Sequence, residues 1–332
     1  MARPGPLLAS WAGLGLVLAL SGQARAAENT ADCQVPSRHW QAIAAGVWVW
    51  PGAAEDIQPG NQGHVATQVL IAQGQTATLI DPGPGLAHGR EVIRSARCEL
   101  GLEIGRVLDS HAHAENVLGN AAFDAPTGRA VPIEATATTR SAMAQRCEQC
   151  RATIANASGD AGLAQAPILL PEPRLQDGQR WSSMAGDWLT LEFRPAHSES
   201  DLAWWNERER LLIAPGLVYQ DRLPELAQGS LRGWVAALRE LDRLQPERLV
   251  GNRPSSRSGL AATLRYLCDL ERTVTQALDS GQSATEAMRI ELPAHRHLSG
   301  YAERHGFNLQ RAWRELEPRW IQGLSPACPD PD

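Results

Sequence analysis

The sequence predicts an α/β domain that consists of two similar halves followed by a helical tail. Two observations support this: strand-like apolar segments alternate with helical ones in both halves, and the chain after Ser258 is mostly helical, with breaks at Pro293 and Gly306. Of the 332 residues, 43% are hydrophobic, and the formal charge is −6. This composition suits a sizeable core, excludes a largely disordered chain and gives no electrostatic footprint for nucleic acid.

The first half contains a strand, a hairpin, a helix and a further strand. Short apolar or alternating runs predict the strands, a Gly-centred turn predicts the hairpin, and spacing of three and four predicts the helix. In order, these are a strand at 47–50, a hairpin of 65–72 with 76–80, a helix at 89–99 and a buried strand at 106–110.

The second half repeats this alternation more loosely. Its predicted elements are a helix at 135–157, strands at 188–193, 202–205 and 211–214, a helix at 230–244 and a strand at 248–250. No long linker or repeat interrupts them, so one domain is expected.

The N-terminus has the pattern of a secretory signal. Arg3 precedes an apolar run at 7–20, and Ala24 and Ala26 form a small-residue cleavage site. We therefore expect residues 1–26 to be a signal peptide and the mature protein to be periplasmic, with no permanent membrane span. The alternative is an uncleaved anchor, although the run is short for crossing a bilayer.

Six cysteines are present, at positions 33, 98, 147, 150, 268 and 328, and they allow 15 full pairings. Cys147 and Cys150 form the one close pair, so a four-cysteine zinc site is not expected. For an exported protein we interpret this pair as a structural disulfide, with a redox motif as the alternative.

Three histidines follow predicted strands. His111 and His113 come directly after the strand at 106–110, and His197 lies in a turn after the strand at 188–193. Three imidazoles with a fourth position open to water describe a catalytic zinc site. The alternatives are polar residues in a loop without metal and, for His197, a buried hydrogen-bonded histidine. A second pair, His295 and His297, lacks the strand setting and is interpreted as surface or packing residues.

The order of short motifs along the chain adds a resemblance. From about 46 to 324 the chain resembles the metallo-β-lactamase superfamily, which implies an αββα sandwich with a helical C-terminal extension. The motifs are Asp81-Pro82-Gly83, His111 to Asn116, His197 to Asp201, Ala214 to Tyr219 and Gly251 to Pro254. Within the superfamily it is most similar to the exported quinoprotein relay system zinc metallohydrolase group, on segments 47–49, 55–56, 116–120 and 219–224 and the close cysteine pair.

The chain departs from the family's metal motif at four ligand positions. Glu115 stands at the aspartate position, Asn116 and Asn252 at two histidine positions, and Gly216 at the bridging aspartate. Because an amide is a poor zinc ligand and glycine has no side chain, the resemblance implies one zinc ion on His111, His113 and His197.

The acidic and amide residues around this set receive separate roles. Glu115 is either a general base or a solvated bystander. Asp81 is expected to orient the ligand turn, Asp201 to stabilise its own turn, and Asn116 and Asn252 to surround the ligands.

Three functions follow. The first is a zinc hydrolase of an unspecified small carbonyl substrate, accessory to a periplasmic quinoprotein dehydrogenase system. The second is an inactive pseudoenzyme that acts as a periplasmic binding or accessory protein. The third, a redox protein, ranks last because the diiron ligand set of the flavodiiron relatives is missing.

Overall fold

The computed structural model describes residues 1, 33, 38–124 and 130–328. The chain divides into two compact units, 1–38 and 39–332, and the following paragraphs concern the second. Apart from Met1, the expected signal peptide lies outside the described residues. In the part of the chain that is described, none of the helices combines the length and apolarity needed to cross a membrane.

The first sheet has seven strands in sequential order. Its strands are β1 (Gln41–Ala44), β2 (Val47–Trp50), β3 (Gln68–Gln73), β4 (Thr76–Ile80), β5 (Glu103–Leu108), β6 (Ile133–Ala135) and β7 (Glu172–Pro173). Pairing is antiparallel from β1 to β4 and parallel from β4 to β7. The predicted hairpin is therefore present as β3 and β4.

The second sheet has six strands in the order β13-β12-β11-β10-β9-β8. They are β8 (Arg180–Ser183), β9 (Gly186–Phe193), β10 (Asp201–Asn206), β11 (Leu211–Ile213), β12 (Arg248–Val250) and β13 (Pro254–Ser255). Only β11 and β12 pair in parallel; the other neighbours are antiparallel.

Helices cover the outer face of each sheet. They are α1 (Leu86–Leu100), α2 (Ala114–Val117), α3 (Ala137–Ser158), α4 (Leu231–Arg243), α5 (Arg257–Asp279), α6 (Ala284–Ala287) and α7 (Tyr301–Ile321). The α4 helix begins where Ser230 accepts a hydrogen bond from the Gly233 backbone N–H, which satisfies one of the free amides at its first turn.

The core lies in three layers. Between the sheets, Val47 and Val49 of β2 meet Trp188 and Trp204 of the second sheet. One outer layer packs the first sheet against α1, and the other packs the second sheet against α4, α5 and α7. The predicted αββα sandwich with a helical C-terminal extension is confirmed.

This topology brings several loops to one edge of the sandwich. The strands β4 and β5 are parallel, so the loops after them leave the first sheet on the same side. In the second sheet β9, β11 and β12 run in one direction because β10 is antiparallel to both β9 and β11. A backbone hydrogen bond of 2.9 Å from Leu202 N to Ser110 O joins the two sheets at this edge.

One predicted helix break is wrong. Gly306 lies inside α7 rather than at its end. A glycine costs about 1 kcal/mol relative to alanine in a helix but removes no backbone hydrogen bond, and α7 buries His305 and Leu309 on either side of it. Pro293, the other predicted break, begins a short 3₁₀ turn.

The cysteine interpretation also needs correction. Cys147 and Cys150 are free in the structure, whereas Cys268 is bonded to Cys328 and both Cys33 and Cys98 are disulfide-bonded. The physical reason is the helix: residues three apart in α3 have Cβ atoms about 5–6 Å apart. A disulfide requires about 3.5–4.5 Å, so regular helical geometry in α3 holds the two cysteines farther apart than a disulfide needs.

Candidate metal centre

Three histidine side chains converge at the edge where the loops meet. His111 and His113 lie in the loop after β5, and His197 lies in the loop after β9; one nitrogen from each lies within 4.8 Å of the others. Their ring centroids are 4.5 to 5.0 Å apart. Zinc binds imidazole nitrogen at about 2.0–2.1 Å, so small side-chain adjustments would let one ion contact all three.

Hydrogen bonds from outside the cluster fix which nitrogen of His111 and His113 is available. Nδ1 of His111 lies 2.7 Å from the Ser110 hydroxyl, and Nε2 of His113 lies 3.1 Å from Oε1 of Gln228. These contacts occupy one nitrogen of each ring, leaving Nε2 of His111 and Nδ1 of His113 for a metal. Such outer partners commonly orient histidine ligands in metal sites.

Asp81 holds the loop that carries His111. Its carboxylate accepts hydrogen bonds from the Ser110 backbone N–H at 2.8 Å, the Ser110 hydroxyl at 2.6 Å and Nδ2 of Asn116 at 2.8 Å. Burial raises the pKa of Asp81 to about 6, despite the opposing effect of these donors. The amide of Asn116 is thus bonded to Asp81.

His197 is enclosed on every side. Its Nδ1 lies 3.3 Å from Oδ1 of Asp201, and Oδ2 of the same carboxylate accepts a hydrogen bond from the Ser198 backbone N–H at 2.7 Å. Its Nε2 lies 3.1 Å from the Tyr219 hydroxyl, and its ring contacts Trp234 edge-on with centroids 4.9 Å apart. Burial raises the pKa of both Asp201 and Tyr219, so the phenol stays neutral.

The electrostatics of the cluster favour neutral imidazoles. Burial, followed by the neighbouring histidines, lowers the pKa of His111 well below its ordinary value. Burial and His113 do the same for His197. Because a metal binds the neutral form of histidine, His111 and His197 can bind a zinc ion without the cost of removing protons at neutral pH.

Glu115 lies at the edge of the cluster. Its carboxylate oxygen is 3.9 Å from Nδ1 of His113, its side chain is 29% exposed, and it lines the same cavity as the three histidines. This distance is too long for a direct hydrogen bond. Glu115 is therefore placed where one water molecule could join it to a group bound at the histidines.

Two of the sequence positions that would serve a second metal ion, Gly216 and Asn252, offer no free ligand here. A Cβ atom built on Gly216 would lie 2.9 Å from both Oδ1 of Asp201 and Nδ1 of His197, so this space admits no side chain. Asn252 instead brackets the Gln220 backbone, accepting from its N–H at 2.7 Å and donating to its carbonyl at 3.2 Å.

Four polar residues near the cluster were not assigned from the sequence. Tyr219 and Gln228 contact histidines, while Arg222 and Glu225 line the same cavity. Tyr219 and Arg222 fall in the 219–224 segment that supported the resemblance, but nothing local indicated their contacts. Arg222 forms an ion pair of 2.8 Å with Asp56, a residue 166 positions earlier in the chain.

The space among these side chains is small. It measures about 30 Å³ and would hold one or two water molecules. A drug-sized ligand occupies a site of about 300–1,000 Å³. The space between the three histidines therefore admits water and an ion, and a larger substrate would extend beyond it toward the partly exposed side chains of His113 and Glu115.

The solved structures to which this chain is similar include metallo-β-lactamases. The chain matches an enzyme from Pontibacter korlensis with a TM-score of 0.54 and 15% identity, covering 69% of this chain and 97% of that one. It matches the mono-zinc form of FIM-1 from Pseudomonas aeruginosa with a TM-score of 0.54 and 16% identity, covering 70% and 95%. A metallo-β-lactamase from Hirschia baltica gives 0.53 and 17%, covering 69% and 96%.

Sequence comparison adds nothing further. No protein-family model matches the chain, and no curated protein matches it. At identities below a fifth, the structural matches establish architecture rather than activity. Together with the two sheets, their covering helices and the histidines at the shared edge, they establish that this chain has the metallo-β-lactamase fold.

Proposed function

We propose that the chain is an exported zinc hydrolase with a single metal ion held by His111, His113 and His197. The observation that carries the proposal is the convergence of three imidazole groups within 4.8 Å at the edge where the loops meet. Each ring has an outer hydrogen-bond partner that fixes its orientation. Zinc, when bound, would polarise a substrate carbonyl and make water more acidic.

The chain's own residues would perform the remaining tasks. Glu115 would accept a proton through one water molecule, since it lines the cavity without being a close partner of any histidine. Asp81 and Asp201 would hold His111 and His197 in place through buried hydrogen bonds. Because the proton on Tyr219 is retained by burial, its hydroxyl can donate to an oxygen of the substrate.

A disulfide bond supports the proposal that the protein is exported. The bond between Cys268 and Cys328 closes a separation of 60 residues, and such bonds persist chiefly in oxidising compartments. We further propose a periplasmic location and a role beside a quinoprotein dehydrogenase system. The proposal of this partner rests on the sequence resemblance. It is tested by asking whether the dehydrogenase co-purifies with the protein from a periplasmic extract, with an extract that lacks the protein as the control.

A second function has its own support. The hydroxyl of Tyr219 occupies the Nε2 side of His197, and the cavity admits only small molecules. Both features would suit a periplasmic binding or accessory protein without catalysis. A hydrolase would need Glu115 and bound metal for its activity, whereas a binding or accessory protein would not need them for catalysis.

The experiment is hydrolysis of small ester and thioester substrates by the mature protein across a range of zinc contents. We expect the rate to rise with zinc occupancy and the Glu115→Gln variant to lose about 10²–10⁴-fold in rate at unchanged occupancy. Glu247→Gln is the control, because Glu247 pairs with Arg210 at the surface and lies outside the cavity lining. A rate independent of both zinc and Glu115 would contradict the hydrolase proposal, and no hydrolysis above the uncatalysed rate at any zinc content would favour the non-catalytic function.

A further inference from the structure

A second polar cleft lies between the N-terminus of α4 and one face of α7, outside the metal centre. Four arginines and one glutamate line it together with one serine: Ser230, Arg232, Arg311, Arg314, Glu315 and Arg319. Its volume is about 510 Å³, and it is open to solvent. None of its residues lines the histidine cavity.

Helical spacing explains why the arginines gather. Positions 311, 315 and 319 of α7 are four apart and share one face, and position 314 is next to that face. Arg232 approaches from α4, where its guanidinium donates to the Ser325 carbonyl at 2.9 Å. In a protein whose net charge is −6, this is a local concentration of positive charge.

The one carboxylate in the cleft is already engaged. Glu315 accepts hydrogen bonds from the Ser230 hydroxyl at 2.8 Å and from the backbone N–H groups of Leu231 and Arg232 at 2.8 and 3.2 Å. It therefore caps the N-terminus of α4, where a negative charge offsets the positive end of the helix dipole. It does not pair with any arginine of α7.

Three of the arginines of α7 lack acidic partners, whereas Arg304, outside the cleft, pairs with Asp56 and Glu225. Across the described residues, no carboxylate lies within ion-pair distance of Arg311, Arg314 or Arg319. The Nε atoms of Arg311 and Arg319 are also buried without a hydrogen-bond acceptor in the same part of the chain. Buried donors without partners are unfavourable, so an anion in the cleft would lower the electrostatic cost of this arrangement.

We propose that this arginine cleft binds a small multivalent oxyanion, such as a phosphate ester or a di- or tricarboxylate. Guanidinium groups present paired donors that match phosphate and carboxylate oxygens. Three arginines without carboxylate partners can contact several oxygens at once, which selects multivalent anions over chloride. The site stands independently of the metal centre and of the hydrolase proposal.

The test is isothermal titration of the mature protein with inorganic phosphate, citrate and chloride. We expect phosphate or citrate to bind with a Kd below about 1 mM and chloride not to bind measurably. The Arg314→Gln/Arg319→Gln double variant should bind at least about tenfold more weakly, since two charge-assisted contacts are lost. The two anions distinguish a phosphate-type ligand from a carboxylate-type ligand.

Two controls separate this site from other effects. Arg243→Gln, an exposed change on α4 outside the cleft, should leave binding unchanged. His197→Ala should also retain anion binding, because the arginine cleft lies outside the metal centre. An anion held by the metal would instead be lost in that variant. Circular dichroism and zinc content of the double variant report whether the fold is kept.

Several results would overturn the proposal. Equal binding by the wild type and the double variant would place the anion elsewhere, and absence of binding by both anions would remove the site. Binding of an acidic peptide without either small anion would make the cleft a protein-docking surface instead. Loss of anion binding in His197→Ala alone would assign the anion to the metal centre.

Discussion

The hydroxyl of Tyr219 lies 3.1 Å from Nε2 of His197, while Nδ1 of the same ring faces Asp201. Both nitrogens of one buried imidazole therefore have a protein partner. The phenol donates to Nε2, which is the lone pair that a metal shared with His111 and His113 would need. Metal binding at His197 thus competes with this hydrogen bond.

Replacing Tyr219 by phenylalanine should strengthen zinc binding. The ring would keep its packing against Trp234, with which it is in edge contact, while the competing donor disappears. A net hydrogen bond is worth about 0.5–1.5 kcal/mol, so we expect the zinc Kd to fall by about two- to tenfold. Competition with a chromophoric chelator measures it. Weaker zinc binding by Tyr219→Phe would instead mean that the hydroxyl supports the metal.

Gly216 should not tolerate even a methyl group. A Cβ atom there would lie 2.9 Å from both Asp201 and His197, so these buried side chains would have to shift. We expect Gly216→Ala to lower the free energy of unfolding by about 1–3 kcal/mol and to reduce zinc affinity. Urea denaturation and metal analysis test this, with Gly60→Ala as control because nothing lies within 4 Å of a Cβ atom at Gly60 and its φ is not positive.

His64 should make the protein less stable in acid. Burial lowers the pKa of His64 from 6.5 to about 4, so the unfolded chain takes up this proton at a higher pH than the folded chain does. Stability present above pH 6.5 is therefore lost as the pH falls toward 4, by up to about 3 kcal/mol. In His64→Phe, which keeps an aromatic ring beside His88 and Trp50, this part of the loss should disappear.

Comparing urea unfolding of the two proteins at pH 7 and pH 4.5 isolates the effect. Groups that do not interact with His64, including Asp81 with its raised pKa, cancel in this comparison, whereas the pKa of His88 is lowered in part by His64 and rises in the variant. Parallel stability curves for wild type and variant would contradict the assignment of a depressed pKa to His64.

The disulfide between Cys268 and Cys328 should stabilise the helical extension. It ties α5 to residues beyond α7, and Glu271 accepts the backbone N–H groups of Ala327 and Cys328 at 2.7 Å. Closing a loop of this length restricts the unfolded chain, so Cys268→Ser/Cys328→Ser should lose about 2–4 kcal/mol. Thermal unfolding of oxidised protein measures it, and an unchanged midpoint would show that the end of the chain contributes nothing.

The convergence of His111, His113 and His197 could be predicted from the sequence because each histidine follows a predicted strand. All three come after strands, and β5 and β9 deliver their following loops to one edge of the sandwich. The hydrophobic pattern was sufficient for the main strands because their inward residues are fully buried. Short edge strands such as β1, whose residues are exposed or half-buried, carry no such signal and were missed.

The remaining contacts join residues that are far apart in the sequence, so local sequence patterns could not predict them. Gln228 reaches His113 across 115 positions, and Arg222 reaches Asp56 across 166. The cysteine interpretation failed for a related reason: spacing suggested a pair, while the helix α3 fixed the geometry. The secondary structure that contains two cysteines can therefore disfavour the disulfide that their spacing suggests.

The most direct measurement of the central claim is the zinc content of mature protein purified without chelators. The account predicts about one zinc per chain in the wild type and a loss of at least tenfold in affinity for His111→Ala and His197→Ala. His297→Ala, which changes an exposed histidine in the other His-x-His pair, should keep the metal. Wild-type protein that remains free of zinc after incubation with excess metal, or that binds it equally well without His197, would contradict the account.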